Sequence, residues 1–550
     1  MTATVAQHLV EALESLGVRT AFGLPGVHNL PFWDALRQSD IRLVGVRHEQ
    51  TAVYAADGHA RASGELGVAI TTTGPGAANA VGATGEAWCC GSPVLVIATD
   101  IPSTLRRPGV YRGVLHETRD QARMFETVVK GTFRVTDPDG AAATLLEAAA
   151  SATAAPTGPT YLEIPTDFFK VETDEAADVL PGDPHPVPDQ SEIERAAELL
   201  AAATRPLVWV GRGGLGAGPA VEDLAARLGA PVLETFGARG TIAESFAGRV
   251  GYVPHFPEVG EIWDEADAVL AVGSDFDGTM TQNWALPAPP RLVAVNLLAT
   301  EVGKAYEPDV SLIGDAAATV ARLAAALPHG FSGNGHRPDL GALRGGLRTR
   351  LEAEEPGPMG LIADLEATVP GDLPVVVDMC IAGYWIGAVR DFTAPRALAY
   401  PIGWGTLGFG FPAAVGTAIS RGRTLCVCGD GGFLFAAGEL AVLAEERPPL
   451  TVLIVDDGGY GMLRFDQVQA GEEPFGVDLS TPDFVGLAES FGLTARRVTE
   501  VGAPLRSALD EALADPGPRI VVLAKALNPP ETTSPRWYRR RTTSSTSTES

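Results

Sequence analysis

The chain reads as an α/β protein of three doubly wound, parallel-sheet units, and three observations lead there. Short β-branched runs recur, each ending in glycines or an acid before a helical stretch, as in Thr424-Leu425-Cys426-Val427 ahead of Cys428-Gly429-Asp430-Gly431-Gly432-Phe433. Strands buried on both faces of a parallel sheet read as such unbroken apolar runs. Proline- and glycine-rich interruptions divide the 550 residues twice. That length allows roughly two to four domains with large cores. An apolar fraction of 45% with 63 glycines suits repeated strand, turn and helix units.

The first unit runs from about residue 1 to 175, with strands expected near Ala21 to Gly23, Leu43 to Arg47, Val68 to Thr72, Val94 to Ala98 and Thr160 to Glu163. Leu180-Pro181-Gly182-Asp183-Pro184-His185-Pro186-Val187-Pro188 marks its boundary, because so many prolines cannot continue helix or strand. The middle unit, 190–330, opens on Pro206-Leu207-Val208-Trp209-Val210-Gly211-Arg212-Gly213-Gly214, a strand running into a glycine turn. The stretch Gly330 to Gly346 links to a third unit at 356–530. The tail 531–550, low in complexity from Arg539 onward, is expected to be disordered.

Charge limits the partners. Forty-one basic against 68 acidic residues leave a net charge of −27, which argues against nucleic acid and anionic membranes. No run of eighteen apolar residues occurs, and Met1-Thr2-Ala3-Thr4-Val5 lacks a basic-then-apolar leader, so a cytoplasmic location is expected. Cys89, Cys90, Cys380, Cys426 and Cys428 form no Cys-x-x-Cys pair and read as reduced packing residues.

The chemistry concentrates where two of these strands end. Gly429-Asp430-Gly431-Gly432 is answered by Val455-Asp456-Asp457-Gly458-Gly459-Tyr460-Gly461, after the strand Thr451-Val452-Leu453-Ile454. Neighbouring parallel strands would bring carboxylates and bare backbone N–H groups into one crevice. A hard divalent cation holding a diphosphate needs that combination, with oxygens for Mg²⁺ and close backbone donors for phosphate.

With these motifs the chain resembles the thiamine-diphosphate enzymes of the acetolactate synthase and 2-oxoacid decarboxylase superfamily. It has Asp456-Asp457 where the family usually carries Asn-Asn. The resemblance implies a thiamine-diphosphate-binding fold with an N-terminal pyrimidine-binding domain, a central α/β domain and a C-terminal diphosphate- and Mg-binding domain. It implies Asp430, Asp457 and the Gly459 carbonyl as metal ligands, with Gly429, Gly431, Gly432 and Gly461 beside the diphosphate. Glu49, after Val44-Gly45-Val46-Arg47-His48, matches the family's one indispensable carboxylate, which bonds N1′ of the aminopyrimidine and so activates thiazolium C2. Such a carboxyl should be desolvated, and Val44, Val46, Ala52 and Val53 are apolar neighbours in sequence. Asn79, in Thr73-Gly74-Pro75-Gly76-Ala77-Ala78-Asn79, matches the loop against the cofactor's edge. Gly405 and Leu407, in Gly403-Trp404-Gly405-Thr406-Leu407-Gly408, match the backbone acceptor and the apolar wedge that bends the cofactor.

The resemblance also supplies the substrate pocket and the assembly. Val27 and His28 occupy the loop beside C2, with Val27 an apolar wall and His28 a possible proton donor. His116, in Leu115-His116-Glu117, is the candidate proton relay. Lys130 matches a pocket lysine or is a helix-end charge, and Asp466 faces the substrate or solvent. In the family, one active site draws on two subunits, which implies a homodimer or homotetramer. The central domain binds FAD in some members, and Gly251-Tyr252-Val253-Pro254-His255-Phe256 lacks the pattern associated with it.

Three functions follow from the resemblance. The favoured one is decarboxylation of a small-molecule 2-oxoacid with transfer of the resulting enamine to a second carbonyl, as in acetolactate synthases. The alternative is a simple decarboxylase that releases an aldehyde, with Asp466 pairing a guanidino tail. The third is a non-catalytic cofactor-binding homologue, against which intact Glu49 and Asp430 argue.

Overall fold

The computed structural model describes residues 3–107, 109–174, 185–333 and 338–533. Leu180 to Pro184 of the expected linker and residues 534–550 of the tail lie outside the described residues.

Three parallel sheets organise the chain. The first orders its strands Arg42–Gly45, Thr20–Gly23, Gly67–Thr71, Val94–Asp100, Thr160–Pro165 and Thr132–Arg134. The central sheet has five strands, in the order Val232–Glu234, Pro206–Val210, Ala268–Val272, Leu292–Asn296 and Val310–Ile313. The third runs Leu398–Ala399, Val375–Val377, Thr424–Gly429, Leu450–Asp456, Arg519–Ala524 and Thr494–Val498. All neighbours in the three sheets pair in parallel. Helices cover both faces, so Val94–Asp100 is buried along its whole length, which is why the sequence shows no alternation there.

The first and third sheets share one topology. In each, the chain steps outward from its first strand to the edge, then crosses back to the other side for its third. This reversal opens a crevice at the carboxyl ends of two strands: after Thr20–Gly23 and Gly67–Thr71 in one sheet, and after Val375–Val377 and Thr424–Gly429 in the other.

The helix that follows the edge strand in one sheet packs against its counterpart in the other: Glu49–Ser63 against Gly410–Arg421. The contact is reciprocal. A Cβ on Gly58 would lie 2.0 Å from the Ala413 carbonyl oxygen, and one on Gly416 would lie 1.9 Å from that of Ala55. Thr417 Oγ1 also donates to the Gly58 carbonyl over 3.0 Å. One hydrophobic core therefore joins the first and third units, with Ala52, Ala55 and Ala56 against Phe409, Ala413 and Ala414. A second joins the central and third units, while the central unit keeps its own core around Val208, Leu224 and Val293.

Several boundaries differ from the sequence reading. The second strand stops at Gly45, leaving Val46, Arg47 and His48 in the turn before Glu49. Thr132–Arg134 escaped notice because it is a three-residue edge strand with two polar members. Of the expected link Gly330 to Gly346, residues from Leu340 onward begin the helix Leu340–Glu354, capped by the Asp339 carboxylate on the Ala342 N–H. Among the described residues, no helix is long and apolar enough to cross a membrane.

Candidate active site

The third sheet's crevice is a cavity of about 270 Å³. Asp430, Gly429, Gly431 and Gly432 line it from the end of one strand, and Asp457, Gly459 and Gly461 from the end of the next. Register explains the match: Gly429 pairs with Val455 across the two strands, so both acidic turns leave the sheet at one level. Gly405 and Leu407 form part of a further wall. Met379, Cys380, Ile381, Ala382 and Tyr384, from the loop and helix after Val375–Val377, complete a largely apolar lining that sequence reasoning missed.

The acids here have unequal roles. Asp430 is 1% exposed, and its Oδ2 has no hydrogen-bond partner. Burial raises its pKa, against backbone N–H groups of Gly431, Gly459 and Gly458 that favour the carboxylate. Asp457 is pushed up to about 6, first by burial and then by repulsion from Asp430, with Arg464 opposing. Two desolvated carboxylates that repel, one with an orphaned oxygen, form a donor set that would fit a divalent cation. Asp456 turns elsewhere, 3.2 Å from the Arg497 guanidinium. Arg464 braces the turn from outside, donating to the carbonyls of Asp457 and Gly458 while pairing with Asp478 at 2.8 Å. Among the described residues, no three His, Cys, Asp or Glu side chains gather into a metal cage.

Asp378 is the buried anchor of this wall. It accepts from the N–H groups of Met379, Gly408 and Gly410, tying the Gly405–Gly410 segment to the end of the first strand. Burial lifts its pKa to about 6. Its position directly after Val375-Val376-Val377 was the available signal, a strand-end carboxylate like Asp430.

A second group lies at the first sheet's crevice. Glu49 is 7% exposed, the first residue of its helix, as the expected desolvation requires. Asn79 Nδ2 donates to Glu49 Oε2 over 3.0 Å. The turn before Glu49 is fixed by the third unit, because the buried Glu439 carboxylate accepts from the Arg47 N–H at 3.1 Å. His28 and His116 stand edge to face, 5.2 Å between ring centroids. Burial and the neighbouring His116 lower the His28 pKa, with Asp100 opposing. His116 holds a left-handed backbone, φ 67°, and its Nδ1 is buried without a partner. For a residue other than glycine that conformation is uncommon. Val27 is 60% exposed at the rim.

The two groups share one chain without sharing one surface. The residues lining the cavity all come from the third unit, and Glu49, Asn79, His28 and His116 are not among them. Asp466 lies on the helix Gly461–Ala470, one turn beyond the cavity-lining Met462. It is half-buried, its Oδ1 has no partner, and burial raises its pKa. Lys130 takes its other reading, since Nζ donates to the carbonyls of Ser151 and Ala154 at the end of the helix Ala141–Thr153. The cysteine reading needs amendment too. Cys426 and Cys428 are buried, but Cys89 is exposed and Cys380 caps the helix Ile381–Val389 while lining the cavity.

In the central unit, a Cβ on Gly211 would lie 2.4 Å from the Gly273 carbonyl oxygen. Gly213 donates to that same oxygen at 2.9 Å, so close packing of strand ends accounts for these glycines.

Comparison with known proteins decides the family. Residues 3–124 match the thiamine pyrophosphate enzyme N-terminal TPP binding domain, 193–323 the central domain and 378–523 the C-terminal TPP binding domain. A probable 2-ketoarginine decarboxylase AruI of Pseudomonas aeruginosa is 34% identical over 502 residues, covering 90% of this chain and 89% of that one. The chain belongs to the thiamine pyrophosphate enzymes. A probable acetolactate synthase large subunit of Methanocaldococcus jannaschii is 30% identical over 90% of this chain and 87% of its own. The acetolactate synthase of Mycobacterium leprae is 31% identical over 90% and 82%. The protein is thus a thiamine-diphosphate-dependent enzyme, a carboligase or a carboxy-lyase, on the three-domain thiamine-diphosphate-binding fold.

Proposed function

We propose that this thiamine pyrophosphate enzyme decarboxylates a 2-oxoacid and delivers a proton to the decarboxylated carbon, releasing an aldehyde. The observation that carries it is the His28–His116 pair, two half-buried imidazoles 5.2 Å apart with His116 held at φ 67°. Burial and the neighbouring His116 lower the His28 pKa, and an imidazole pair of this kind is suited to passing a proton.

The cofactor, when bound, supplies the carbon nucleophile and the electron sink. The residues do the rest. Asp430, Asp457 and the Gly459 carbonyl would hold Mg²⁺, and the backbone of Gly429, Gly431, Gly432 and Gly461 would meet the diphosphate. The Gly405 carbonyl would accept from the aminopyrimidine, and Leu407 would press an apolar side chain against the cofactor. Glu49 holds a proton at N1′, and Asn79 orients Glu49. His28 and His116 move the proton at the reacting carbon, and Val27 walls that space. Asp466 meets the far end of the substrate. Its unpartnered oxygen suits a cationic tail, and the relative 34% identical is named for 2-ketoarginine, a guanidino 2-oxoacid. FAD has no role in this reading.

A second copy completes the site. Exposed apolar side chains lie near both halves in sequence, with Val110, Tyr111 and Leu115 before His116, and Val468 and Phe475 after the cavity-lining Leu463. Such side chains suit burial against another subunit. The assembly is then a homodimer at least, or a homotetramer, of three-domain subunits divided at about 1–175, 190–330 and 356–530, in the cytoplasm.

The second reading is carboligation, transfer to a second carbonyl, which the relatives named acetolactate synthase support. One experiment tests both. The protein, reconstituted with thiamine diphosphate and Mg²⁺, is incubated with pyruvate and a panel of 2-oxoacids including a guanidino one. CO₂, aldehyde and acyloin are assayed together. Aldehyde matching CO₂ supports the decarboxylase, acyloin supports the carboligase, and no CO₂ from any substrate overturns both.

A further inference from the structure

Beneath the histidine pair runs a buried chain of hydrogen bonds. Thr73 Oγ1 lies 2.8 Å from His28 Nδ1 and 2.8 Å from Thr99 Oγ1. The next residue, Gly74, turns the chain into the helix Pro75–Cys89, and its N–H donates to Gln121 Oε1 over 2.6 Å. Gln121 Nε2 donates in turn to the Thr99 carbonyl at 2.9 Å and to the Tyr161 hydroxyl at 2.7 Å. That hydroxyl gives its own proton to Glu163 Oε2 at 3.2 Å, which leaves its lone pairs for Gln121. Gln121 is 1% exposed, Tyr161 0% and Glu163 3%, so water does not compete.

The chain has a direction. Glu163 accepts from Tyr161, Tyr161 accepts from Gln121, and Gln121 must then turn its carbonyl oxygen to Gly74. A flipped amide would set its NH₂ against the Gly74 N–H and its oxygen against the Thr99 carbonyl, leaving buried groups unpaired. Tyr161 is held in place by stacking on Phe125, 4.0 Å between centroids. Arg134 Nε, 2.8 Å from Glu163 Oε1, anchors the far end.

Building on the proton-delivery reading above, we propose that Gln121 is a positioning residue for it. Gln121 fixes the Thr73-Gly74 turn so that the Thr73 hydroxyl is presented to His28, and Tyr161 with Glu163 fixes Gln121. Gln121 acts through Thr73 and touches neither histidine, nor does it touch the Glu49–Asn79 pair that activates the cofactor.

This separation makes the test. In the holoenzyme, Gln121→Met should lower kcat for the best 2-oxoacid by about 10- to 100-fold, the scale of losses when a group is misplaced by about an ångström. KM should stay within about twofold, as should hydrogen–deuterium exchange at C2 of the bound cofactor. Tyr161→Phe should give a smaller loss of the same pattern, because Gln121 keeps its bond to Thr99. If Gln121→Met shows no cooperative melt, Tyr161→Phe decides by the same two readouts. An unchanged kcat overturns the proposal, and so does a C2 exchange rate that falls in step with turnover, which would mark general loosening. Absence of CO₂ release from every 2-oxoacid by the unmodified protein would overturn the underlying reading as well, and is seen before any variant is made.

Discussion

Asn79 donates to Glu49 across 3.0 Å, joining the start of one helix to the second turn of another. The bond uses Oε2, and Oε1 faces Gly76, where a Cβ would come within 3.1 Å. One carboxylate oxygen is thus held while the other is left beside a residue with no side chain, where a flat heterocycle can approach. Glu439 secures this geometry from the third unit through the Arg47 N–H, so the acid's placement depends on the packing between units.

Glu49→Gln should leave the fold intact and lower turnover by several orders of magnitude. The loss should exceed the ~10²–10⁴ of an ordinary general acid–base contact, because the carboxyl creates the base itself. Exchange of the C2 proton in the bound cofactor measures it directly. Asn79→Ala should cost less, about tenfold, since it removes only the orienting bond. Undiminished exchange in Glu49→Gln would falsify the assignment.

Asp430→Ala should abolish Mg²⁺-dependent cofactor binding, measured by calorimetry, because diphosphate charge would enter a desolvated crevice uncompensated. Asp457→Asn should retain binding, since the oxygen ligand survives and repulsion from Asp430 disappears. Complete loss of binding in Asp457→Asn would mean that the second charge is required.

The site's local part was legible in the sequence, and its long-range part was not. Asp430 and Asp457 declare themselves because each follows a strand within one or two residues, and sheet register then places them together. Glu49 stands four residues past its strand, so the family resemblance, and not strand position alone, made it legible. Gln121 is not, because its meaning lies in Gly74, 47 positions away, and in Tyr161, 40 positions away. No periodicity encodes such contacts. Lys130 was ambiguous until its Nζ was found on the carbonyls of Ser151 and Ala154. The reciprocal packing of Gly58 and Gly416 also escaped, since a helix glycine reads the same whether it meets water or another backbone.

Glu163 offers a stability prediction with a definite sign. Its pKa rises from 4.5 to about 7, first through burial and then through Asp100, with Arg134 and Arg106 opposing and Tyr161 donating to it. The native state then binds more protons than the unfolded state between pH ~4.5 and ~7, so this group's contribution to stability declines as pH rises across that window. Glu163→Gln stays neutral throughout. Its Tm relative to the unmodified protein should therefore improve from pH 5 to pH 8, as calorimetric scans at both would measure. A constant difference would show that Glu163 keeps an ordinary pKa.

The proposed role of Asp466 in substrate choice can be tested. A carboxylate with an unpartnered oxygen, one turn from Met462 on the cavity wall, favours a cationic tail and disfavours an anionic one. At an effective dielectric of about 20, one charge about 6 Å away contributes roughly 2 to 3 kcal/mol before screening. Its half-exposure reduces this, so a shift of about tenfold, rather than a hundredfold, is expected. Asp466→Asn should lower kcat/KM on a guanidino 2-oxoacid by about that factor and leave pyruvate unchanged or improved. Asp466→Trp should move the ratio the same way while shortening the pocket. The salt dependence provides an internal control. The preference of the unmodified protein for the cationic substrate should weaken from low to high ionic strength, and that of Asp466→Asn should not. An identical substrate ratio in both proteins at low salt means that Asp466 does not meet the substrate, and chain length alone then sets the preference.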